Sequence, residues 1–325
     1  MTSYWNDFPG MPETLIKVSG IIDRSSASQN PIIAEGLSAI LNGDGKLLRP
    51  GLLLLSSQFG GALKHNSEKC LSLAAAIEML HVATLIHDDV IDDSPLRRGQ
   101  PSVHTSYGKQ DAVLIGDFLL SRCFILVSEY SSQEQALALA RAISVICSME
   151  IEQNSSRYQA DTSIRRYFKK IMGKTALLFS LACYVGAAEA KASSESAARL
   201  RRVGYNMGMA FQIIDDILDY TGSAETVRKA LGNDFKAGIV TLPLIFALTM
   251  DGSGELKKLT VPGQFALADS GRVIALVKES GGIEAARSCA KKYTDRALRE
   301  ISLLPGGAPR DMLEKLTQRL LVRNY

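Results

Sequence analysis

Apolar residues recur three and four positions apart along nearly the whole chain, the spacing that puts them on one face of an α-helix. The pattern is clearest over residues 70–90, 111–130, 135–153 and 200–220, and each window predicts a long helix. Runs alternating apolar with polar, as a half-buried strand needs, are hard to find. The punctuation is sparse and sharp: Gly43-Asp44-Gly45, Gly60-Gly61, Pro95 with Gly99 and Pro101, Gly222, Gly281-Gly282, and Pro305 to Pro309. No low-complexity linker and no shift in composition divides the chain. The expectation is one all-α domain over residues 1–325, a single-domain bundle of long helices.

Two of these windows end in the same signature. Asp88-Asp89-Val90-Ile91-Asp92 follows one apolar run, and Asp215-Asp216-Ile217-Leu218-Asp219 follows another. On a helix, residues four apart are neighbours on one face. Carboxylates at the end of a buried helix are costly unless something neutralises them. A hard divalent cation does so. Magnesium (Mg2+) takes one or two carboxylates, keeps waters and gives its remaining positions to substrate phosphates. A diphosphate held by metal between two helices is therefore expected. Either motif alone would as readily be a solvated acidic helix end. The repetition, with basic residues close by, argues against that.

A diphosphate also needs cations from the protein. Arg97 and Arg98 follow the first motif after Pro95 turns the chain, and guanidinium forks suit phosphate oxygens. In Gly45-Lys46-Leu47-Leu48-Arg49-Pro50, Lys46 and Arg49 stand three apart and are expected on one helix face. His81 precedes Asp88 by two helical turns. Alone, each of these would be a surface charge or a satisfied core histidine. Gly173-Lys174-Thr175 is not a phosphate loop, because Phe168 stands where the first glycine would be needed. On a helix, Lys174 can meet a leaving diphosphate, and Thr175 and Gln212 can offer oxygens to a developing carbocation.

Composition narrows the class without choosing the chemistry. The chain has 325 residues, 46% hydrophobic and 22% charged, which fits a soluble globular protein. Its 37 basic and 34 acidic residues leave a net charge of +3, too little to argue for nucleic acid. Five scattered cysteines suggest neither disulfides nor zinc, but core filler in a reducing compartment. The start carries no basic segment followed by an apolar run, so no signal peptide is expected. The longest uncharged apolar stretches, 175–188 and 237–250, fall short of the roughly 20 residues a membrane helix needs. The expected location is the cytoplasm, with no transmembrane segment.

Taken together, GDGKLLRP, EMLHVATLIHDDVIDDSPLRRGQPSVH, GDFLLSRCF, GKTALL, MAFQIIDDILDYTG and GNDFKAGIVTLPL resemble the trans-isoprenyl diphosphate synthases over nearly the whole chain. The resemblance implies a helical bundle around a deep central cavity, normally a dimer. It implies head-to-tail condensation of isopentenyl diphosphate with an allylic diphosphate. Asp88, Asp92 and Asp215 would then bind magnesium, with Asp89 and Asp219 in support. Arg97, Lys174 and Gln212 would meet the allylic substrate. Lys46, Arg49, His81 and Arg98, with Arg323 closing over them, would meet isopentenyl diphosphate. The family's released diphosphate takes the proton, so no side-chain base is nominated.

Small residues at Ala83 and Thr84, where bulky ones stop growth early, imply a product longer than farnesyl, such as a quinone side chain. The cavity floor would lie near residues 137–140. A geranylgeranyl product and a catalytic subunit of a two-component synthase are the alternatives. A class I terpene cyclase is more remote, since the second motif is acidic throughout. One departure stands out: Ile239 occupies the place where many relatives carry a diphosphate-binding lysine. It leaves a second, different subunit in play.

Overall fold

The computed structural model describes residues 3–41, 45–97, 99–160, 163–222, 231–261 and 263–321. Its first half runs through α1 (Met11–Ser25), α2 (Pro31–Leu41), α3 (Leu48–Ser57), α4 (Glu68–Ile91), α5 (Val103–Tyr107), α6 (Lys109–Tyr130) and α7 (Gln133–Ser155). The second half adds α8 (Ile164–Ile171), α9 (Leu177–Glu189), α10 (Ser194–Thr221), α11 (Asn233–Lys236), α12 (Leu242–Met250), α13 (Glu255–Leu259), α14 (Ser270–Glu279), α15 (Gly282–Ser302) and α16 (Ala308–Leu321). The four windows of strongest periodicity all become helices, α4, α6, α7 and α10. Among the described residues the β-structure is one two-residue hairpin, β1 (Leu96–Arg97) against β2 (Gln100–Pro101), closed at Gly99 with φ 80°. The all-α class read from periodicity holds.

The chain divides into two compact units. The first comprises residues 1–140, 181–201 and 304–313; the second comprises 141–180, 202–303 and 314–325.

In the first unit α4 is the central element. Ser67 caps it, its hydroxyl accepting the Cys70 N–H at 3.4 Å. Leu71, Leu73, Ala74, Ala75, Ala76, Ile77 and Leu80 are all buried, so the helix is apolar on every side, as a core helix must be. It packs against α1, α3 and α6. Gly116 of α6 lets the two helices close, because a Cβ there would fall on the His87 ring. His87 Nε2 lies 3.3 Å from the Val113 carbonyl oxygen.

The second unit has its own core of Tyr167, Ile213, Ile217, Tyr220, Phe235 and Val273, with the Phe235 and Phe265 rings stacked at 4.6 Å. A single π-helical turn, Met172–Ala176, joins α8 to α9. Such turns recur at functional sites.

By length and composition alone, helices Glu68–Ile91 and Ile164–Glu189 are apolar enough to cross a membrane, although neither contains an uncharged stretch of that length. Their most apolar windows are 78% and 72% buried inside the protein, as in core helices. All five cysteines are free thiols. Cys70, Cys123 and Cys183 fill the core as expected, Cys289 is half-buried, and Cys147 is exposed on α7.

Candidate active site

The first acidic motif closes α4. Asp88 and Asp92 are half-buried and Asp89 is fully buried. The Asp92 N–H donates to the Asp88 carbonyl at 2.8 Å, ending the helix, and the chain then reverses through Asp93 at φ 49°. The hairpin after Pro95 brings Arg97 back over the motif. Arg97 Nε donates to Asp89 Oδ2 at 2.5 Å and Nη2 donates to Oδ1 at 2.6 Å. This fork occupies both oxygens of Asp89 with a protein cation. Arg97, expected to meet the allylic substrate, therefore also neutralises the middle carboxylate of the motif.

On the same helix, Thr84 and His81 are half-buried and the Thr84 hydroxyl donates to the His81 carbonyl at 2.8 Å. Ala83 is buried in the core.

Lys46 and Arg49 do not share a helix face. Lys46 lies in an irregular stretch, and Leu47 adopts a left-handed conformation (φ 48°, ψ 42°) before α3 begins at Leu48. Pro50 fits the first turn of that helix, where no N–H is needed. Arg49 is buried, and burial pulls its guanidinium down to about 10 against the opposing pull of Glu78 on α4. It stays cationic at neutral pH.

The second motif sits near the end of α10 in different surroundings. Asp215 is exposed. Asp216 is buried: Tyr167 Oη donates to its Oδ2 at 2.6 Å and Gln212 Nε2 donates to its Oδ1 at 2.9 Å. Thr175 Oγ1, in the π-helical turn, donates to Gln212 Oε1 at 2.6 Å. One chain of hydrogen bonds thus links Thr175, Gln212, Asp216 and Tyr167. Asp219 accepts the Asn233 N–H at Oδ1 and the Asp234 N–H at Oδ2, both at 3.1 Å, and so ties down α11.

Burial pushes the Asp216 carboxyl up to about 7, although the bonds from Tyr167 and Gln212 oppose it. Burial, together with Asp219 and Asp216, raises Asp234 well above the usual carboxylate range. Lys174 lies 3.5 Å from Glu150 on α7. Burial lowers Lys170, while the nearby carboxylates of Asp216 and Asp234 hold it up. Ile239 donates its N–H to the Asp234 carbonyl at 2.8 Å, and its side chain adds no charge.

Sequence reading quoted Asp216 without giving it a role and missed Tyr167, Asp234, Glu150 and Lys170. A buried tyrosine 49 residues before its partner leaves no periodic signal. Arg98 and Arg323 lie outside the described residues.

Among the described residues, no group of three aspartate, glutamate, histidine or cysteine side chains is arranged to hold a metal by itself. Carboxylates of this kind suit a hard divalent cation that takes one or two of them and completes its shell with water and phosphate.

The model of the polyprenyl synthetase family matches residues 30–266. The chain is 34% identical to heptaprenyl diphosphate synthase component 2 of Geobacillus stearothermophilus, with 97% of each covered. It is 38% identical to the geranyl-diphosphate-specific all-trans-nonaprenyl-diphosphate synthase of Rhodobacter capsulatus, over 91% of this chain and 94% of that one. The crystal structure of heptaprenyl diphosphate synthase from Staphylococcus aureus superposes with a TM-score of 0.92 at 30% identity, covering 97% of this chain and 99% of that one. The chain belongs to the polyprenyl synthetase family.

Proposed function

We propose that the protein condenses isopentenyl diphosphate head-to-tail onto an allylic diphosphate, giving an all-trans polyprenyl diphosphate longer than farnesyl. The observation that carries this reading is the recurrence of one acidic motif at the ends of two apolar helices in a chain of this family. A divalent cation such as Mg2+, when bound, would supply positive charge to the departing diphosphate, and Asp88, Asp92 and Asp215 would hold it. Lys174 and Arg97 face the allylic diphosphate, and Lys170 keeps a positive charge beside Asp216 and Asp234 where Ile239 provides none. Gln212 and Thr175, fixed through Asp216, present oxygens to the developing carbocation. Lys46, Arg49 and His81 hold isopentenyl diphosphate.

Relatives named for heptaprenyl, nonaprenyl and solanesyl products support the long chain. A quinone side chain is the product use that fits, and the cytoplasm the location. Two relatives are each named a component 2, which together with Ile239 favours a second reading, a catalytic subunit that needs a different partner. A homodimer is the simpler expectation. Val113, Leu114, Phe124 and Ile125 are exposed apolar residues on α6 that a second copy of the chain would cover.

The test is a product assay on the purified protein with Mg2+, labelled isopentenyl diphosphate and geranyl or farnesyl diphosphate, with gel filtration alongside. A ladder passing the farnesyl length supports the reading. Arrest at geranylgeranyl removes the long product. No incorporation by a folded, monomeric protein points to the missing partner.

A further inference from the structure

We propose that Tyr4 and Trp5 are positioning residues for Lys46, a clamp on the isopentenyl diphosphate loop. The inference rests on the reading of Lys46 as a ligand for that diphosphate. The loop needs holding, since residues 45–47 have no regular structure and Leu47 sits in a left-handed conformation that a branched side chain adopts only under constraint.

The constraint comes from the far N-terminal segment. Trp5 Nε1 donates to the Lys46 carbonyl oxygen at 2.6 Å, across 41 residues of chain. The indole is fully buried, with Phe8 edge-on at 5.1 Å and Tyr4 at 5.6 Å. It lies against Gly51 in α3, where a Cβ would fall inside the ring, so the glycine forms the socket. The same segment also reaches the side chain: Lys46 Nζ stands 5.4 Å from the Tyr4 ring centroid. An aromatic face orients an ammonium without neutralising it. Backbone and side chain of one lysine are thus held by two adjacent aromatic residues, and neither reaches the acidic motifs in any contact described above.

The test uses the full-length protein. Trp5→Phe keeps an aromatic ring but removes the donor. It should raise KM for isopentenyl diphosphate roughly three- to tenfold, the span of one lost hydrogen bond. The allylic KM and kcat should stay near wild type, while the melting temperature falls modestly with the lost buried bond and volume. Tyr4→Leu should act in the same direction, more weakly. Gly51→Ala, which displaces the indole, should match Trp5→Phe without adding to it.

Trp5 is the only tryptophan in the chain, so its emission reports the clamp directly. Isopentenyl diphosphate should shift the emission of wild type and not of Lys46→Ala. If Lys46→Ala raises the isopentenyl KM while Trp5→Phe and Tyr4→Leu do not, the clamp is overturned and the reading of Lys46 stands. If Lys46→Ala leaves that KM unchanged, both fall. If Trp5→Phe impairs both substrates alike, the segment only stabilises the fold, and the clamp is overturned.

Discussion

The two acidic motifs share a pattern of residues and differ in almost everything that surrounds it. In the first, the buried middle carboxylate of Asp89 receives a guanidinium fork from Arg97, so the protein supplies its own countercharge. In the second, the equally buried Asp216 receives hydrogen bonds from the neutral donors Tyr167 and Gln212, Asp215, Asp219 and Asp234 crowd it, and Lys170 is the cation nearby. Burying charge is tolerable where an opposite charge lies alongside, and otherwise the group tends to keep its proton. Asp89 is thus paired by a guanidinium within the protein, whereas Asp216 relies on neutral donors and a nearby lysine. Identical motifs need not titrate, bind or fail alike.

The largest expected effect treats the clusters equally. Asp88→Ala or Asp215→Ala should lower turnover by a factor on the order of 1,000 or more, because charge stabilisation of the leaving group would be lost. Circular dichroism should show the helices intact. Near-normal turnover in either variant would break the assignment of that cluster.

The next effect separates them. Arg97→Ala strands the carboxylate of Asp89 in the first cluster, and removing one partner of a buried pair costs about 3 kcal/mol or more. Adding Asp89→Asn should restore part of that loss in urea melts. If the double variant is no more stable than Arg97→Ala, the countercharge account of this cluster is wrong.

The third prediction concerns pH and the second cluster, in protein stripped of divalent cations. The folded-state Asp216 lies at about 7, above its unfolded value near 3.8. Between those values the folded protein binds more protons than the unfolded one, so this carboxyl makes stability fall as pH rises from about 4 to about 7 and level off above. Other groups titrate too, so the reading is a difference: Asp216→Asn should flatten that slope relative to wild type. An unchanged slope would show that burial does not govern this carboxyl.

The difference between the clusters was only partly legible in sequence. Periodicity placed α4, α6, α7 and α10, because long buried helices repeat their pattern many times. The motifs were visible because their spacing is local. What escaped depends on contacts made after the chain turns. Arg97 reads as a free cation until a two-residue hairpin lays it on Asp89. Asp219 gives no sign in sequence that its carboxylate accepts N–H groups 14 and 15 residues on. Lys46 and Arg49 read as helical neighbours because nothing in Leu47 announces a left-handed residue. Tyr167 was invisible, since a buried phenol looks like any other core aromatic until its hydroxyl is seen to reach a carboxylate.

That phenol gives the finest distinction. Tyr167→Phe removes one oxygen and leaves the ring in its packed site. The lost bond is buried and made to an acid, so a stability loss of about 1–3 kcal/mol is expected. A second consequence follows through the chain of donors. Asp216 without Tyr167 is held by Gln212 alone, and Gln212 carries Thr175, so both groups read as facing the carbocation lose a fixed anchor. Turnover should fall several-fold while KM for either substrate changes little, because the loss falls on a group engaged during reaction rather than binding. The first cluster offers no matching variant, since both donors to Asp89 come from one arginine. A Tyr167→Phe protein that loses stability at full turnover would show that the relay only holds the fold, and that Gln212 and Thr175 keep their places without it.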